Sequence, residues 1–264
     1  MRIPTLILTL LFLSALATVS SAALQDHPQN TETSTKPLYA PSGNEVTLTG
    51  SIIANGEVPK ARRYDMSADP VCEKLSVDRH DLDDVLISDQ RVVNTFVYLK
   101  GGEALNAYRF EVPDAEVELA HKGCYYSPRI LGIRAGQRLS IVNNDPTVHN
   151  THPTPKYNPE WNMSQGVGSN PFVKTFSRSE QFIPFKDNQH PWERAIVGVF
   201  DHPFFAVSDQ FGNYEIRGVP PGKYTLVVWH ERLGKQEMEI TVVPGESRKL
   251  DFTFDLAKPD SRME

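Results

Sequence analysis

The sequence predicts an all-β protein built from sandwiched sheets, and three observations support this. Short runs alternate apolar with polar side chains, which is the period of a half-buried strand. The runs are rich in Val, Ile, Thr and aromatic residues, and Gly, Pro, Asn and Asp turns separate them. A helical period appears only weakly, at 71–78. The predicted strands are 45–53, 94–101, 138–145, 195–201, 213–219, 223–231, 236–243 and 247–256.

The N-terminus has the pattern of a secretory signal peptide. Met1 and Arg2 precede an apolar run at 5–19, and small residues at 20–23 offer a cleavage site. The run is too short to cross a bilayer comfortably, and no second run approaches that length. We therefore expect a signal peptide at 1–22, export to a periplasm or extracellular space, and no transmembrane segment after cleavage.

The segments outside the strands are polar. Residues 23–44 and 257–264 cannot bury enough apolar surface to offset the entropy of ordering, so they are expected to be a disordered linker and a tail. The chain has 27 Lys and Arg, 33 Asp and Glu, and a formal net charge of −6. The basic residues are scattered rather than clustered, which argues against a nucleic-acid partner.

Two cysteines, Cys72 and Cys124, are present. In an exported chain the default expectation is a disulfide between them. Two buried thiols or a metal-ligand role are the alternatives. A disulfide would remove both sulfur atoms from any set of metal ligands.

The C-terminal part, AVSDQFGNYEIRGVPPGKYTLVVWHERLG, pairs two strands across a Gly-containing turn and reverses again at Pro-Pro-Gly. Gly212 allows positive φ in the first turn, and residues 220–222 fix the second. This compound pattern resembles the carboxypeptidase regulatory-like domain, which is a small transthyretin-type sandwich. It also resembles the related domain of rhamnogalacturonan lyases. The resemblance implies such a domain at 201–256.

Two loops carry the residue types of a metal site. One is NNDPTVHNTH at 143–152, after a predicted strand, and the other is FKDNQHPWERA at 185–195. Their layout resembles a cupredoxin, where one His follows a core strand and the other ligands come from a later Cys-x-x-His-Pro-x-Met-type loop. The resemblance implies a Greek-key sandwich over 45–200, with packing of 45–110 against the second sandwich as the alternative. The matching positions are Asn144, Asp145, His149 and Asn150 in the first loop and His190 and Pro191 in the second.

The departures from the cupredoxin pattern define the expected chemistry. Asp187 stands at the thiolate position and Glu193 at the thioether position. Without a thiolate a blue copper centre is unavailable. His149, His190, Asp187 and Glu193 would form a set of two nitrogens and two oxygens, which suits copper of non-blue type or zinc, and also manganese or iron. The alternatives are a vacated site on a surviving fold and a mononuclear metal oxidase or oxygenase.

Other residues are weaker candidates. His152 is a possible further donor, and His202, His230 and Glu231 a possible second site or second layer around the first. Tyr157 and Trp161 offer rings for sugar stacking, which leaves a metal-free cell-surface β-sandwich module that binds carbohydrate as an alternative function. The partner, a protein or a polysaccharide, is not identified by the sequence. No G-x-S-x-G, Walker or G-x-G-x-x-G motif occurs in a suitable context, so no catalytic residue and no organic cofactor are expected.

Overall fold

The computed structural model describes residues 36–58, 64–75 and 87–257. The expected signal peptide, most of the expected linker and most of the tail lie outside these residues. The elements are β1 Val46–Asn55, α1 Pro70–Leu75, β2 Ile87–Ser88, β3 Arg91–Val92, β4 Phe96–Lys100, α2 Glu103–Ala107, β5 Val117–His121, β6 Tyr126–Ser127, β7 Ile130–Arg134, β8 Arg138–Asn143, β9 His149–Pro153, β10 Met163–Gln165, β11 Phe172–Thr175, β12 Glu180–Lys186, β13 Arg194–Phe200, β14 Phe205–Val207, β15 Asn213–Val219, β16 Gly222–His230, β17 Gly234–Val242, β18 Arg248–Lys249 and β19 Phe252–Asp255.

The all-β prediction is confirmed, and the strands form two sandwiches. What we call the terminal sandwich has one sheet in the order β15-β1-β3-β2, with β18 and β19 also on β1, and a second sheet in the order β14-β4-β16-β17. Buried side chains from both sheets meet in one core, including Leu48, Val97, Leu226 and Phe252. The terminal sandwich therefore uses strands from both ends of the described chain.

The inserted sandwich comprises β5 to β13. Its sheets run β10-β9-β12-β13-β7 and β11-β8-β5-β6, and the core between them contains Leu119, Ile141, Phe185 and Val197. Two of its strand pairs, β5 with β8 and β7 with β13, are parallel. Parallel pairing arises here because consecutive strands such as β7 and β8 lie in different sheets, so the chain crosses between sheets before it returns.

The sequence left open which sandwich residues 45–110 join. In the structure, β1 pairs antiparallel with β15, and β4 pairs antiparallel with β16. These long-range pairings place the predicted strands at 45–53 and 94–101 in the terminal sandwich. The inserted sandwich thus begins near residue 117 rather than at 45.

Strands β4 and β16 contribute side chains both to the core of the terminal sandwich and to the contact with the inserted sandwich. Because successive side chains point to opposite faces of a strand, Leu226 and Val228 of β16 enter the core of the terminal sandwich. Their neighbours Val227 and Trp229 face the inserted sandwich, where the Trp229 ring stacks on Phe182 at 3.8 Å between centroids. The two sandwiches are joined by a buried apolar and aromatic contact.

Residues 36–44 differ from the expected disordered linker. The Tyr39 ring lies 5.3 Å from Phe110, and its backbone N–H donates to the carbonyl of Arg109. An aromatic side chain that reaches an existing core supplies the apolar burial that the polar neighbours lack.

Within the described ranges, no helix has the length and apolar character needed to cross a membrane.

Candidate metal centre

The candidate centre lies where strands of the inserted sandwich end. His121 is the last residue of β5 and His149 the first residue of β9, while Asp187 directly follows β12 and Glu193 directly precedes β13. The loop between β12 and β13 is closed on itself. Asp187 Oδ1 accepts hydrogen bonds from the backbone N–H groups of Gln189 (2.7 Å) and His190 (3.0 Å), and the N–H of Glu193 donates to the carbonyl of His190. This tight turn directs three side chains of the loop towards His149.

Three histidines turn the same ring nitrogen, Nδ1, towards two carboxylates. His121 Nδ1 lies 2.8 Å from Glu193 Oε1, and His149 Nδ1 lies 2.9 Å from Glu193 Oε2. Asp187 Oδ2 lies 3.0 Å from Nδ1 of both His149 and His190. Imidazole and carboxylate therefore alternate in a continuous chain, from His121 through Glu193, His149 and Asp187 to His190.

The opposite ring nitrogen, Nε2, has an outer neighbour on each histidine. His121 Nε2 lies 2.8 Å from Thr151 Oγ1, and His190 Nε2 lies 3.0 Å from Asp69 Oδ2. His149 Nε2 lies 3.1 Å from Asp145 Oδ2. The rings of His121 and His190 are hydrogen-bonded through both nitrogens, which is how proteins orient imidazoles that bind metal through one nitrogen.

The two ligand loops are also tied to each other. Asn150 donates its backbone N–H to Asp187 Oδ2 at 2.9 Å, and its Oδ1 accepts from the N–H of Asn188 at 3.2 Å. Asp145 accepts from the N–H groups of Gly123 and Cys124. Asparagine and aspartate in the first loop therefore hold the loops in place rather than face the shared inner space.

The centre is buried and highly charged. His121, His149 and Glu193 are fully buried, and Asp187 and His190 nearly so. Burial alone would lower the pKa of His149, but contacts with Asp145, Asp187 and Glu193 outweigh it and raise the pKa to about 11. Burial alone would raise the pKa of Asp187, but His149, His190 and backbone N–H groups lower it far below its usual range. Without a metal, a protonated His149 ring thus lies beside the ionised carboxylate of Asp187.

The donor atoms fit a metal ion. One ligand atom each from His121, His149, Asp187 and Glu193 lie within 4.8 Å of one another. Bonds of about 2.1 Å at right angles would separate two donors by about 3 Å, which matches the contacts above. Glu193 Oε2 is buried and makes no aligned hydrogen bond, although His149 Nδ1 lies 2.9 Å away. A short contact out of line for a hydrogen bond is the arrangement expected of two ligands of one ion.

The structure groups three of the four candidate ligands expected from sequence, His149, Asp187 and Glu193, with His121, which sequence reasoning missed. His190 lies beside Asp187 at the edge of the four-residue set. The sequence signal for His121 was its position at the end of an alternating run. In the structure β5 pairs in parallel with β8, which places His121 opposite Asn143, at the start of the first candidate loop. Asp69 was also missed. It precedes α1, where its Oδ1 accepts from the N–H groups of Val71 and Cys72 while its Oδ2 reaches His190.

The disulfide between Cys72 and Cys124 is confirmed. It joins α1 to the turn after β5, next to the centre. Trp192, which follows the His-Pro pair, donates its indole N–H to the carbonyl of Cys124 at 3.2 Å and packs in the same small cluster as both cysteines. The disulfide and Trp192 thus hold α1 against the ligand loop.

The remaining histidine candidates lie elsewhere. His152 contacts Asn188 and Glu160 at the surface. His202 Nδ1 accepts from the N–H of Phe204, and His230 Nδ1 accepts from the backbone of the turn after β16. Glu231 forms a bidentate ion pair with Arg129. Among the described residues, no cluster of potential metal ligands contains any of these four candidates.

The two aromatic candidates for sugar stacking are placed differently. Tyr157 is 66% exposed. Trp161 is half-buried, meets Phe172 and Phe185 edge to face, and carries Lys174 Nζ 5.5 Å from its ring centroid. Trp161 therefore anchors its loop on the inserted sandwich, and sugar binding stays a prediction.

Comparisons with known proteins agree with the resemblances seen in the sequence. Residues 186–255 match the family model of the carboxypeptidase regulatory-like domain. The match begins in β12, before the expected boundary at 201. No curated protein matches the chain.

Several solved structures similar to this chain are copper proteins. A Cu-containing nitrite reductase from Thermus scotoductus SA-01 is 18% identical with a TM-score of 0.31, and the match covers 37% of this chain and 26% of that enzyme. A purple cupredoxin from Nitrosopumilus maritimus is 20% identical with a TM-score of 0.27, covering 31% of this chain and 98% of that one. A mutant amicyanin in its Cu(I) state is 18% identical with a TM-score of 0.28, covering 39% and 97%. The chain is therefore similar both to the regulatory-like domain and to cupredoxins.

Proposed function

We propose that this chain is an exported metal-binding protein whose centre holds one divalent ion, copper or zinc, without a cysteine ligand. The observation that carries the proposal is the common orientation of three buried histidines. Their Nδ1 atoms face Asp187 and Glu193, and their Nε2 atoms face outer partners. Histidines that are buried for unrelated reasons would not all turn Nδ1 towards the same two carboxylates. Binding of one ion by these Nδ1 atoms explains the common orientation.

The proposed centre is not a conventional type 1 copper electron carrier. That chemistry needs a short copper–thiolate bond. Asp187 stands where the resembled family has its thiolate, and both cysteines are held in a disulfide. We expect a weakly coloured Cu(II) complex of nitrogen and oxygen donors.

Copper is favoured over zinc by the order of intrinsic affinities, in which Cu(II) binds a given nitrogen and oxygen site more tightly than Zn(II). The donor set of imidazoles and carboxylates suits either ion. Copper would supply redox or Lewis-acid chemistry and zinc Lewis-acid chemistry alone. The chain's own residues orient the donors, exclude water, and balance the positive charge with Asp187 and Glu193.

Metal analysis and titration test the proposal. The full chain should bind one Cu(II) per molecule, with an electron paramagnetic resonance spectrum of non-blue type and without the intense visible band of thiolate–copper centres. His149→Ala should abolish uptake, whereas the matched surface variant His152→Ala should bind like the wild type. Binding of less than about one-tenth of an equivalent of copper and of zinc would refute the proposed function.

A further inference from the structure

The disulfide lies directly beside the candidate centre. The Sγ atoms of Cys72 and Cys124 and a ring nitrogen of His149 lie within 4.8 Å of one another. In a second set, the Sγ of Cys72, a carboxylate oxygen of Asp69 and a ring nitrogen of His190 lie within the same distance. Cys72 is common to both sets, so its sulfur neighbours two imidazoles, one carboxylate and its disulfide partner.

The histidine nitrogens on the outer side of the centre face oxygens in the same region. His190 Nε2 contacts Asp69, and His149 Nε2 lies 3.1 Å from Asp145 Oδ2. That nitrogen of His149 is completely buried and makes no aligned hydrogen bond. An unsatisfied buried ring nitrogen is costly unless another partner completes it. The contact between His149 Nε2 and Asp145 Oδ2 is thus short but not aligned as a hydrogen bond. The contact between His149 Nδ1 and Glu193 Oε2 has the same character.

We infer that reduction of the disulfide creates a second, sulfur-containing metal site with Cys72 as its thiolate ligand. His149, His190 and Asp69 are the neighbouring donors. A thiolate beside imidazoles favours softer ions than the inner donor set does, namely Cu(I) and Zn(II). The inference rests on the proposed function, since it uses the outer nitrogens of the same histidines.

The chemistry balances with a dithiol as reductant. Two electrons and two protons pass from the dithiol to the Cys72–Cys124 bond, which gives two thiols here and a disulfide in the reductant. When the ion binds, the Cys72 thiol releases its proton and the sulfur forms the metal bond. Each histidine nitrogen that becomes a ligand also releases its proton to solvent, and a His149 ring bound to ions through both nitrogens loses both. The short helix α1 that carries Cys72 lies at the surface, with residues 73–75 exposed, so opening this single turn gives access to the bond.

Zinc binding to the full chain tests the inference, because Zn(II) neither oxidises thiols nor changes valence. Oxidised and phosphine-reduced protein would be loaded anaerobically, and X-ray absorption fine structure would distinguish a sulfur shell at about 2.3 Å from nitrogen and oxygen shells at about 2.0–2.2 Å. We expect no sulfur shell in the oxidised protein and a clear one after reduction.

Two single variants identify the sulfur. Cys72→Ser and Cys124→Ser both remove the cross-link, so any loss of stability from its absence is matched. Cys124→Ser should keep the sulfur shell, and Cys72→Ser should lose it. Circular dichroism confirms that each variant is folded, and the reduced wild-type protein gives the answer if one is not.

The outcomes separate this inference from the proposed function. Zinc bound equally in both redox states without a sulfur shell would overturn the inference and leave the proposed function standing. A sulfur shell in the reduced protein with no metal in the oxidised protein would support the inference and refute the proposed function. Absence of metal in both states would refute both.

Discussion

Metal uptake at the inner centre should depend steeply on pH, because His149 must lose a proton before its Nδ1 becomes a ligand. Contacts with Asp145, Asp187 and Glu193 outweigh burial and raise the pKa of His149 to about 11. At pH 7, which is about four units below this pKa, the metal must displace the proton of His149, and this displacement costs about 5 kcal/mol. The apparent association constant should rise about tenfold per pH unit between about pH 6 and pH 9 for this proton alone.

The number of protons released can be measured directly. Burial would lower the pKa of His190, but Asp187 and Asp69 outweigh it and raise the pKa, so a second proton contributes. Calorimetric titration with Cu(II) in two buffers of different ionisation enthalpy should give between about one and two protons released per ion at pH 7. His152→Ala should give the same number. An association constant that does not change with pH, with fewer than about half a proton released, would refute the reasoning.

Three further predictions concern stability and affinity. Burial lowers the pKa of His230 to about 3, so its neutral ring contributes stability above pH 6.5 that is lost as pH falls from 6.5 towards 3. His230→Asn, which keeps an acceptor for the turn, should reduce the loss of unfolding free energy between pH 7 and pH 4 by about 3 kcal/mol in urea titrations. Asp69→Asn should weaken metal binding about 10- to 100-fold, because Asp69 orients His190. Trp229→Ala should destabilise the protein by about 3–5 kcal/mol, since it removes the stacked contact with Phe182.

Two of these predictions have a matched control variant. Asp65 is exposed and accepts hydrogen bonds from Ser67, so Asp65→Asn should leave metal affinity unchanged. An equal effect at Asp69 and Asp65 would contradict the orienting role. Phe211 is 63% exposed, so Phe211→Ala should change stability little. A similarly small effect at Trp229 would show that the aromatic contact does not couple the sandwiches. If His230→Asn and the wild type lose the same unfolding free energy between pH 7 and pH 4, a group other than His230 causes the loss and the prediction is wrong.

The strands of the terminal sandwich were predictable because alternation marks them strongly. In β15 the pattern of exposed and buried residues follows the sequence NYEIRGV almost residue by residue, and β19 alternates fully over Phe252–Asp255. The pairing of these strands was not predictable. Ile52 lies opposite Phe252 in β1 and β19, and nothing local in either strand specifies a partner two hundred residues away.

The strands around the metal centre were harder to predict because polar residues dominate them. Strand β9 reads HNTHP, yet four of its five residues are buried, and His152 is the exception. The convergence of Asp187 and Glu193 on His149 was predictable, because a resembled family fixes the spacing of this loop, and the ligand role of these residues stays a prediction. His121 and Asp69 come from segments that the resemblance did not assign to ligands, so their role follows only from the folded arrangement.

The order in which strands enter the terminal sandwich affects synthesis of the chain. Ser51 of β1 donates its backbone N–H to Asp251, which is 200 residues later and directly precedes β19. During synthesis β1 therefore cannot complete its pairing until this C-terminal segment has left the ribosome. The inserted sandwich has its own core within 117–200 and is able to form while β1 remains unpaired. A chain whose synthesis stops before β18, or from which a protease removes β18 and β19, would therefore keep both candidate ligand loops and leave an open edge on β1, a template for aggregation.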